Sequence, residues 1–311
     1  MRQVPELSLL SYLNGGESDK SEFVERLFAG IKDYGFIILK DHPVEQALVD
    51  QAYQETAGLF SLSQAEKNDY ICTAGGGQRG YTAFGQEHAK DQDVPDLKEF
   101  WHVGREVESG HEFAQYYPGN IWPKQVPQFK PTLEKLYEEL HQTSVILLEA
   151  LGKALKVAPG YFTGMVDEGN SILRLINYPP VKGDIPVGAV RAAAHEDINL
   201  ITILVGATSS GLQLLDRDGS WLDVETRPGE LIVDSGDMLS RITNELIPAT
   251  THRVINPDNQ DDQRFSMPFF VHPNPLAELK CLDSCVGDGP KYPPISSHDF
   301  LMQRLKEIGL M

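Results

Sequence analysis

The apolar residues of the N-terminal half recur three or four positions apart in three separate stretches, which is helical spacing. The longest stretch keeps this spacing from Leu133 to Leu155, and the pair Pro159-Gly160 that follows is a helix-terminating signal. A run of consecutive apolar residues between the first two stretches is typical of a buried strand. The pattern predicts a helix around residues 24–31, a strand at 36–39, a helix at about 44–60, a loop at 72–95 and the long helix after Pro131.

From about Ser171 the pattern changes to short apolar runs separated by glycine, proline, asparagine and aspartate. Regular short strands with such turns are typical of a β-sandwich or a β-barrel. Asp218-Gly219 lies between two of these runs and predicts a hairpin. The predicted strands cover residues 172–176, 198–205, 212–215, 221–224, 231–233 and 265–271, and a short amphipathic helix at 300–308 follows them.

The two halves are not separated by a Pro-, Gly- or Ser-rich linker, so the sequence predicts one integrated fold. Within that fold we distinguish an N-terminal helical and mixed region at residues 1–165, a β-rich core at 166–275 and a C-terminal extension at 276–311. The expected fold class is mainly β with helical flanks, with the long helix packed on the β-rich core.

The 311 residues include 27 Lys and Arg against 45 Asp and Glu, which gives a formal net charge of −18. This charge repels phosphate backbones and anionic lipid, so nucleic acid and membrane surfaces are not expected as main partners. Three cysteines argue against a disulfide framework, and Cys281 and Cys285 have no second Cys or His pair to complete a zinc site. With neither a secretory signal nor a bilayer-spanning segment, we expect a cytoplasmic protein and favour a monomer.

A candidate metal site begins with His195 and Asp197, which lie two positions apart just before the predicted strand at 198–205. On a strand, such residues point to the same face, so an imidazole and a carboxylate can converge. His252, at the start of another plausible strand, is the candidate third ligand. Two His and one carboxylate form the facial triad of non-haem Fe(II) oxygenases. The zinc-protease pattern H-E-x-x-H is excluded because residue 199 is Asn.

Arg264 and Ser266 follow His252 by twelve and fourteen positions and share one face of a predicted strand. A guanidinium fork beside a hydroxyl is suited to holding a carboxylate. An iron centre with open positions and a carboxylate clamp nearby suggests a keto-acid cosubstrate. Taken alone, Arg264 is equally compatible with an ion-paired or surface arginine.

The order of these features resembles the 2-oxoglutarate and Fe(II)-dependent oxygenases of the isopenicillin N synthase-like type. The similarity extends over roughly residues 5–308 and is specific for the family, although not for a substrate. The motifs that carry it are Asp33-Tyr34-Gly35-Phe36, Asp41-His42-Pro43-Val44, Gly80-Tyr81, Gly85-x-Glu87, Asp96-x-Lys98-Glu99, Asn120-Ile121-Trp122-Pro123, Tyr178-Pro179, Gly211-Leu212-Gln213, Trp221, Gly236-Asp237, Thr243-Asn244, His252-Arg253-Val254 and Arg264-x-Ser266.

The resemblance implies a double-stranded β-helix (jelly-roll) core with helical flanks. It implies Fe(II) on His195, Asp197 and His252, with 2-oxoglutarate and O2 as cosubstrates. The far carboxylate of 2-oxoglutarate would meet Arg264, Ser266 and the Tyr178 hydroxyl. The implied reaction is hydroxylation, desaturation or cyclisation of a small molecule, with release of succinate and carbon dioxide.

The resemblance places the walls of the substrate pocket near Tyr81, Phe84 and Arg191. We expect Arg191 to face solvent rather than to pair with a substrate carboxylate. Glu196, between two ligands, is expected to point away from the metal. Asp234 stands where relatives usually have Asn, so it either completes a turn or adds charge near the pocket.

Three alternatives stay open from the sequence. In an Fe(II) oxidase that does not use 2-oxoglutarate, Arg264 would hold the carboxylate of the substrate itself. An ethylene-forming enzyme would break down 2-oxoglutarate, and a binding module would have lost catalysis. Tyr178 beside Arg264 favours 2-oxoglutarate, and the intact triad argues against the module.

Overall fold

The computed structural model describes residues 4–72, 77–87, 94–180, 186–259 and 261–307. Its helices are α1 Leu9–Asn14, α2 Glu17–Tyr34, α3 Gln46–Phe60, α4 Gln64–Asn68, α5 Phe129–Ala154, α6 Tyr161–Val166, α7 Asp237–Ile242 and α8 Ser297–Glu307. Its strands are β1 Glu6–Ser8, β2 Phe36–Lys40, β3 Gly80–Thr82, β4 Glu99–Gly104, β5 Ile172–Tyr178, β6 Ala192–His195, β7 Ile201–Val205, β8 Leu212–Leu215, β9 Trp221–Asp223, β10 Leu231–Ser235, β11 His252–Val254 and β12 Arg264–Val271.

Two facing sheets form the centre of the described structure. The major sheet has the order β1-β2-β10-β7-β12-β5-β4-β3, and the minor sheet has the order β6-β11-β8-β9. Apart from the parallel pair β1–β2, the strand pairs are antiparallel. Apolar side chains from both sheets, including Phe36, Ile176, Leu204, Leu214 and Val254, pack together between them. This is the sandwich arrangement of a jelly roll.

The outer face of the major sheet packs against helices. Alternate residues of its strands, such as Leu175 and Phe269, share one apolar cluster with Leu136 and Leu140 of α5. The ring of Tyr137 on α5 meets the ring of Phe269 edge to face, with centroids 4.9 Å apart. The long helix therefore lies on the β core, as its apolar stripe predicts.

The periodic elements of the sequence analysis are confirmed. The three predicted N-terminal helices correspond to α2, α3 and α5, and the hairpin at Asp218-Gly219 joins β8 to β9. Two predictions are wrong. The loop at 72–95 contains β3, and the run at 198–205 is a strand only from Ile201. Strand β4 was not predicted, because its apolar pattern is interrupted by Glu99 and His102, both of which are buried.

The helices of the described ranges contain no segment with the length and apolar character needed to cross a bilayer. Cys72, Cys281 and Cys285 are all free thiols.

Candidate metal centre and cosubstrate pocket

The three candidate metal ligands lie at one edge of the minor sheet. His195 is the last residue of β6, and His252, the first residue of β11, is its direct antiparallel partner. Asp197 lies beyond the end of β6, so the argument that His195 and Asp197 share a strand face is wrong. The loop after β6 brings the Asp197 carboxylate back to the two imidazoles instead. Glu196 is exposed and accepts a hydrogen bond from the Thr251 hydroxyl at 3.1 Å.

The ligand atoms of His195, Asp197 and His252 all lie within 4.8 Å of one another. The Asp197 Oδ1 atom is 3.8 Å from His195 Nε2 and 4.0 Å from His252 Nε2. The two imidazole rings are 4.5 Å apart between centroids. A single ion between these atoms is within reach of all three, which is the donor set that suits non-haem Fe(II).

Backbone carbonyls select the tautomer of each imidazole. His195 Nδ1 lies 2.7 Å from the Ala193 carbonyl oxygen, and His252 Nδ1 lies 3.1 Å from that of Thr250. Because a carbonyl oxygen only accepts, each Nδ1 carries the proton and each Nε2 keeps a free lone pair. Burial, together with the nearby His252, lowers the pKa of His195 to about 4. The His195 imidazole is therefore neutral at pH 7, as a metal ligand must be.

A short hydrogen-bond chain orients the Asp197 carboxylate. The Thr202 hydroxyl donates to Asp197 Oδ2, and Asn199 Nδ2 donates to the Thr202 hydroxyl at 2.8 Å. The backbone of the same loop is held by α7, because the Asp237 amide donates to the Asp197 carbonyl oxygen at 2.8 Å. The start of α7 therefore sets the position of Asp197.

Gly236, which precedes α7, is packed directly against this loop. A Cβ atom on Gly236 would lie 2.2 Å from Asn199 Oδ1 and 2.7 Å from the Asp197 carbonyl oxygen. We expect Gly236→Ala to displace Asp197 and to weaken Fe(II) binding roughly tenfold to a hundredfold, the range seen when the support of a metal ligand is lost. Anaerobic Fe(II) titration measures the change. Gly119→Ala is the control because nothing lies within 4 Å of a Cβ there. Equal Fe(II) affinity in both variants would contradict the role given to Gly236.

Asp234 lies inside β10, opposite Thr202, and its side chain lines the pocket beside the triad. It therefore does not complete a turn. Burial, together with the charge of Asp197, raises the pKa of Asp234 well above its usual range. The shift is toward the protonated form, in which Asp234 is a polar, uncharged group.

The candidate carboxylate clamp lies across the same pocket. Arg264 on β12 pairs directly with Tyr178 on β5, and its guanidinium carbon lies 5.0 Å from the centre of the Tyr178 ring. Ser266, two positions further along β12, also lines the pocket. Arg264 Nε donates to the Ser209 carbonyl oxygen at 3.1 Å, whereas the buried Nη1 has no partner among the described residues. Burial of a guanidinium nitrogen without a hydrogen-bond acceptor costs free energy unless a bound anion supplies the acceptor. The far carboxylate of 2-oxoglutarate fits this requirement.

Comparison with known proteins identifies the family. The non-haem dioxygenase in morphine synthesis N-terminal family matches residues 4–125, and the 2OG-Fe(II) oxygenase superfamily matches residues 169–273. A solved structure from Caulobacter crescentus, assigned to the 2OG-Fe(II) oxygenase family, is 40% identical, with a TM-score of 0.89 over 99% of this chain and 100% of that chain. The chain belongs to the 2OG-Fe(II) oxygenase superfamily.

Two further relatives agree with this assignment. A full-length Neurospora crassa protein, solved in complex with alpha-KG, is 30% identical, with a TM-score of 0.88 over 97% of this chain and 95% of its own. The 2-oxoglutarate-Fe(II) type oxidoreductase hxnY of Emericella nidulans is 29% identical over 93% of this chain and 85% of its own. The predicted fold class, family and cofactors are confirmed. This oxygenase is an oxidoreductase that uses Fe(II), 2-oxoglutarate and O2 to oxidise a small molecule.

Arg191 of the oxygenase is 1% exposed, so the expectation that it faces solvent is wrong. Its guanidinium donates to the Asp262 carbonyl oxygen and lies 5.8 Å from the centre of the Tyr178 ring, on which Arg264 also packs. Burial, together with the positive charge of Arg264, lowers the pKa of Arg191. The structure thus places a second arginine beside the clamp, and its role toward a substrate stays a prediction.

Tyr81 and Phe84 are not among the residues that line the pocket over the triad. Tyr81 is buried and donates its hydroxyl proton to Glu99, whereas Phe84 is 47% exposed. The structure does not bring either side chain to the triad, so their assignment to the substrate wall stays a prediction.

Three further polar residues line the pocket and were not predicted from the sequence: Lys98, Arg174 and Thr202. Lys98 belongs to the motif Asp96-x-Lys98-Glu99, which marked the family but suggested no role for its lysine. Arg174 lies on β5, two residues beyond an apolar start, and carries no local signal of function.

A larger cavity of about 490 Å³ lies on another side of Arg264. It is bordered by Tyr53 of α3, by the loop after β7 and by residues 224–230. None of the three candidate metal ligands lines it, and it shares Leu204, Leu212 and Arg264 with the pocket over the triad, so the two cavities adjoin.

Proposed function

We propose that this oxygenase hydroxylates a small molecule held over an iron bound by His195 Nε2, Asp197 Oδ1 and His252 Nε2. Arg264, Ser266 and Tyr178 are proposed to bind the far carboxylate of 2-oxoglutarate. The observation that carries the proposal is the unpartnered, buried Nη1 of Arg264 in the same pocket as the triad. Desaturation and cyclisation are other outcomes of oxidation at the same position.

Each side chain in this proposal has a defined task. The two imidazoles, with their Nδ1 protons on backbone carbonyls, present Nε2 to the metal. Arg264 and Ser266 orient the cosubstrate, while Ile176 and Leu204 exclude water from the pocket. When bound, the iron supplies activation of O2. The same Neurospora crassa protein is also described in complexes with thymine and with 5-formyluracil, which supports a substrate of similarly small size.

We further propose a cytoplasmic monomer that binds neither nucleic acid nor membranes. The net charge of −18 supports the exclusion of nucleic acid and membranes, and the free thiols of Cys72, Cys281 and Cys285 support a reducing compartment. Sedimentation velocity at physiological ionic strength tests the monomeric state, and fractionation of cells that express the protein tests its location.

The first experiment is an anaerobic titration of the metal-free protein with Fe(II) and then with 2-oxoglutarate. Chelation of iron by the keto acid is expected to produce a weak visible charge-transfer band without any primary substrate. Succinate release on admission of air then provides an assay for substrates. If Fe(II) binds and no band forms, the carboxylate clamp serves the substrate instead, as in an oxidase that does not use 2-oxoglutarate.

A further inference from the structure

A buried ionic network borders the oxidation pocket on the β4 side of the major sheet. Lys98 is 5% exposed, and its ammonium lies 2.8 Å from Glu87 Oε2 and 2.8 Å from Asp96 Oδ2. Arg174 lies 3.1 Å from the same Glu87 oxygen. None of these four residues belongs to the proposed metal ligands or to the 2-oxoglutarate clamp.

The two cations of the network differ in how firmly their side chains are held. Arg174 makes two contacts with Glu87, donates through Nε to His102 Nε2 at 2.6 Å and packs on the ring of Phe100. It is held firmly as part of the wall. The Lys98 ammonium has three N–H donors and makes two carboxylate contacts, and no third acceptor lies among the described residues. Among the described ranges, one Lys98 donor is therefore left for a ligand.

The network turns its positive side toward the pocket. Lys98 and Arg174 line the pocket that contains the triad, whereas Glu87 and Asp96 do not. Although burial opposes the charge, the carboxylates of Glu87 and Asp96 raise the pKa of Lys98 above its usual value. The ammonium is thus charged at any physiological pH. The carboxylates that stabilise this charge lie outside the pocket lining.

Lys98 is close to the metal site without being able to bind the metal. Asp96 Oδ1 accepts a hydrogen bond at 2.9 Å from the amide of Ala193, two residues before His195. The positive charge of Lys98 also helps to lower the pKa of His195, after burial and His252. A group bound to Lys98 would therefore lie in the pocket that contains the triad, and β5 lies between β4, which Lys98 directly precedes, and β12, which carries Arg264.

We propose that Lys98 binds a carboxylate of the primary substrate and so directs the enzyme to small organic acids, an inference that rests on the proposed function. Besides Lys98, the arginine and carboxyl side chains that line the pocket are Arg174, Arg264, Asp197 and Asp234. Arg174 is occupied by Glu87 and His102, Arg264 faces the cosubstrate, and Asp197 faces the metal. These contacts fix the guanidinium of Arg174 in the wall, whereas the Lys98 ammonium can turn its unpaired donor toward a substrate.

The experiment compares aliphatic and aromatic monocarboxylic acids with their primary amides, which differ mainly in charge. Each compound is added anaerobically to the wild-type Fe(II)–2-oxoglutarate complex, and perturbation of the charge-transfer band reports binding beside the iron. We expect acids to bind roughly tenfold to a hundredfold more tightly than their amides, the range for one charge-assisted hydrogen bond. If acids and amides perturb the band equally, or if no acid perturbs it, the proposal is overturned. This test needs only the wild-type protein.

Variants locate the effect. Lys98→Met should lose the preference for acids and keep the band itself, whereas Lys98→Arg should keep part of the preference. The matched control is Lys67→Met, which removes another buried lysine, 2.7 Å from Glu99, that does not line the pocket. If Lys98→Met keeps the acid preference, Lys98 is not the binding group. If the wild-type protein forms no charge-transfer band, the proposed function itself is contradicted. This result differs from failure of the Lys98 proposal, in which the band forms but acids are not preferred.

Discussion

Replacing His252 with alanine is expected to remove Fe(II) binding and turnover together. His252 supplies one of three ligand atoms that lie within 4.8 Å of one another, and its Nδ1 is held at 3.1 Å from the Thr250 carbonyl oxygen. Loss of a direct ligand should exceed the tenfold to hundredfold loss typical of its supporting groups, so affinity should fall by more than about a hundredfold. Anaerobic titration with Fe(II), followed by a succinate assay at saturating Fe(II), measures both effects.

The control for this variant is His111→Ala. His111 Nε2 lies 3.0 Å from a Glu168 carboxylate oxygen, so the control also removes an imidazole beside a carboxylate, outside the pocket. Its Fe(II) affinity should equal that of the wild type. Full iron-dependent activity in His252→Ala would show that the triad assignment is wrong.

Replacing Arg264 with alanine is expected to weaken 2-oxoglutarate binding while Fe(II) still binds. The guanidinium is buried, packs on Tyr178 and leaves Nη1 without a partner among the described residues. Loss of its hydrogen bonds to a carboxylate should cost about 3 kcal/mol, which is roughly a hundredfold in the dissociation constant. The anaerobic charge-transfer titration should shift to higher 2-oxoglutarate concentration, with unchanged Fe(II) affinity.

Two further variants show whether the geometry of the Arg264 guanidinium or its charge causes the loss of 2-oxoglutarate affinity. Arg264→Lys keeps the charge but loses the planar fork, so its affinity should lie between those of the wild type and the alanine variant. Arg26→Ala removes an exposed arginine and the same formal charge, and it should leave the titration unchanged. If Arg264→Ala bound 2-oxoglutarate as tightly as the wild type, the clamp would have to lie elsewhere.

The sequence by itself determined the residue types of the site and the periodic elements of the fold. The apolar stripe of α5 and the run in β2 depend on short-range spacing, which is readable without tertiary structure. Arg264 and Ser266 were predicted to share a strand face, and β12 places both of them in the pocket. The family could be recognised from the sequence because the residue types of each motif, and the order of the motifs along the chain, can be read without the fold.

The tertiary structure alone decided how these residues meet. Asp197 reaches the imidazoles through a loop held by α7, a contact between segments that no local pattern encodes. Arg191 is buried because Tyr178 and the Asp262 carbonyl oxygen come to it from distant parts of the chain. Arg174 joins the Lys98 network only when β5 pairs with β4, because it then lies 3.1 Å from the Glu87 carboxylate that also contacts Lys98. Burial and charge compensation are properties of such long-range neighbours, and for that reason a polar residue inside a strand shows its role only after the chain has folded.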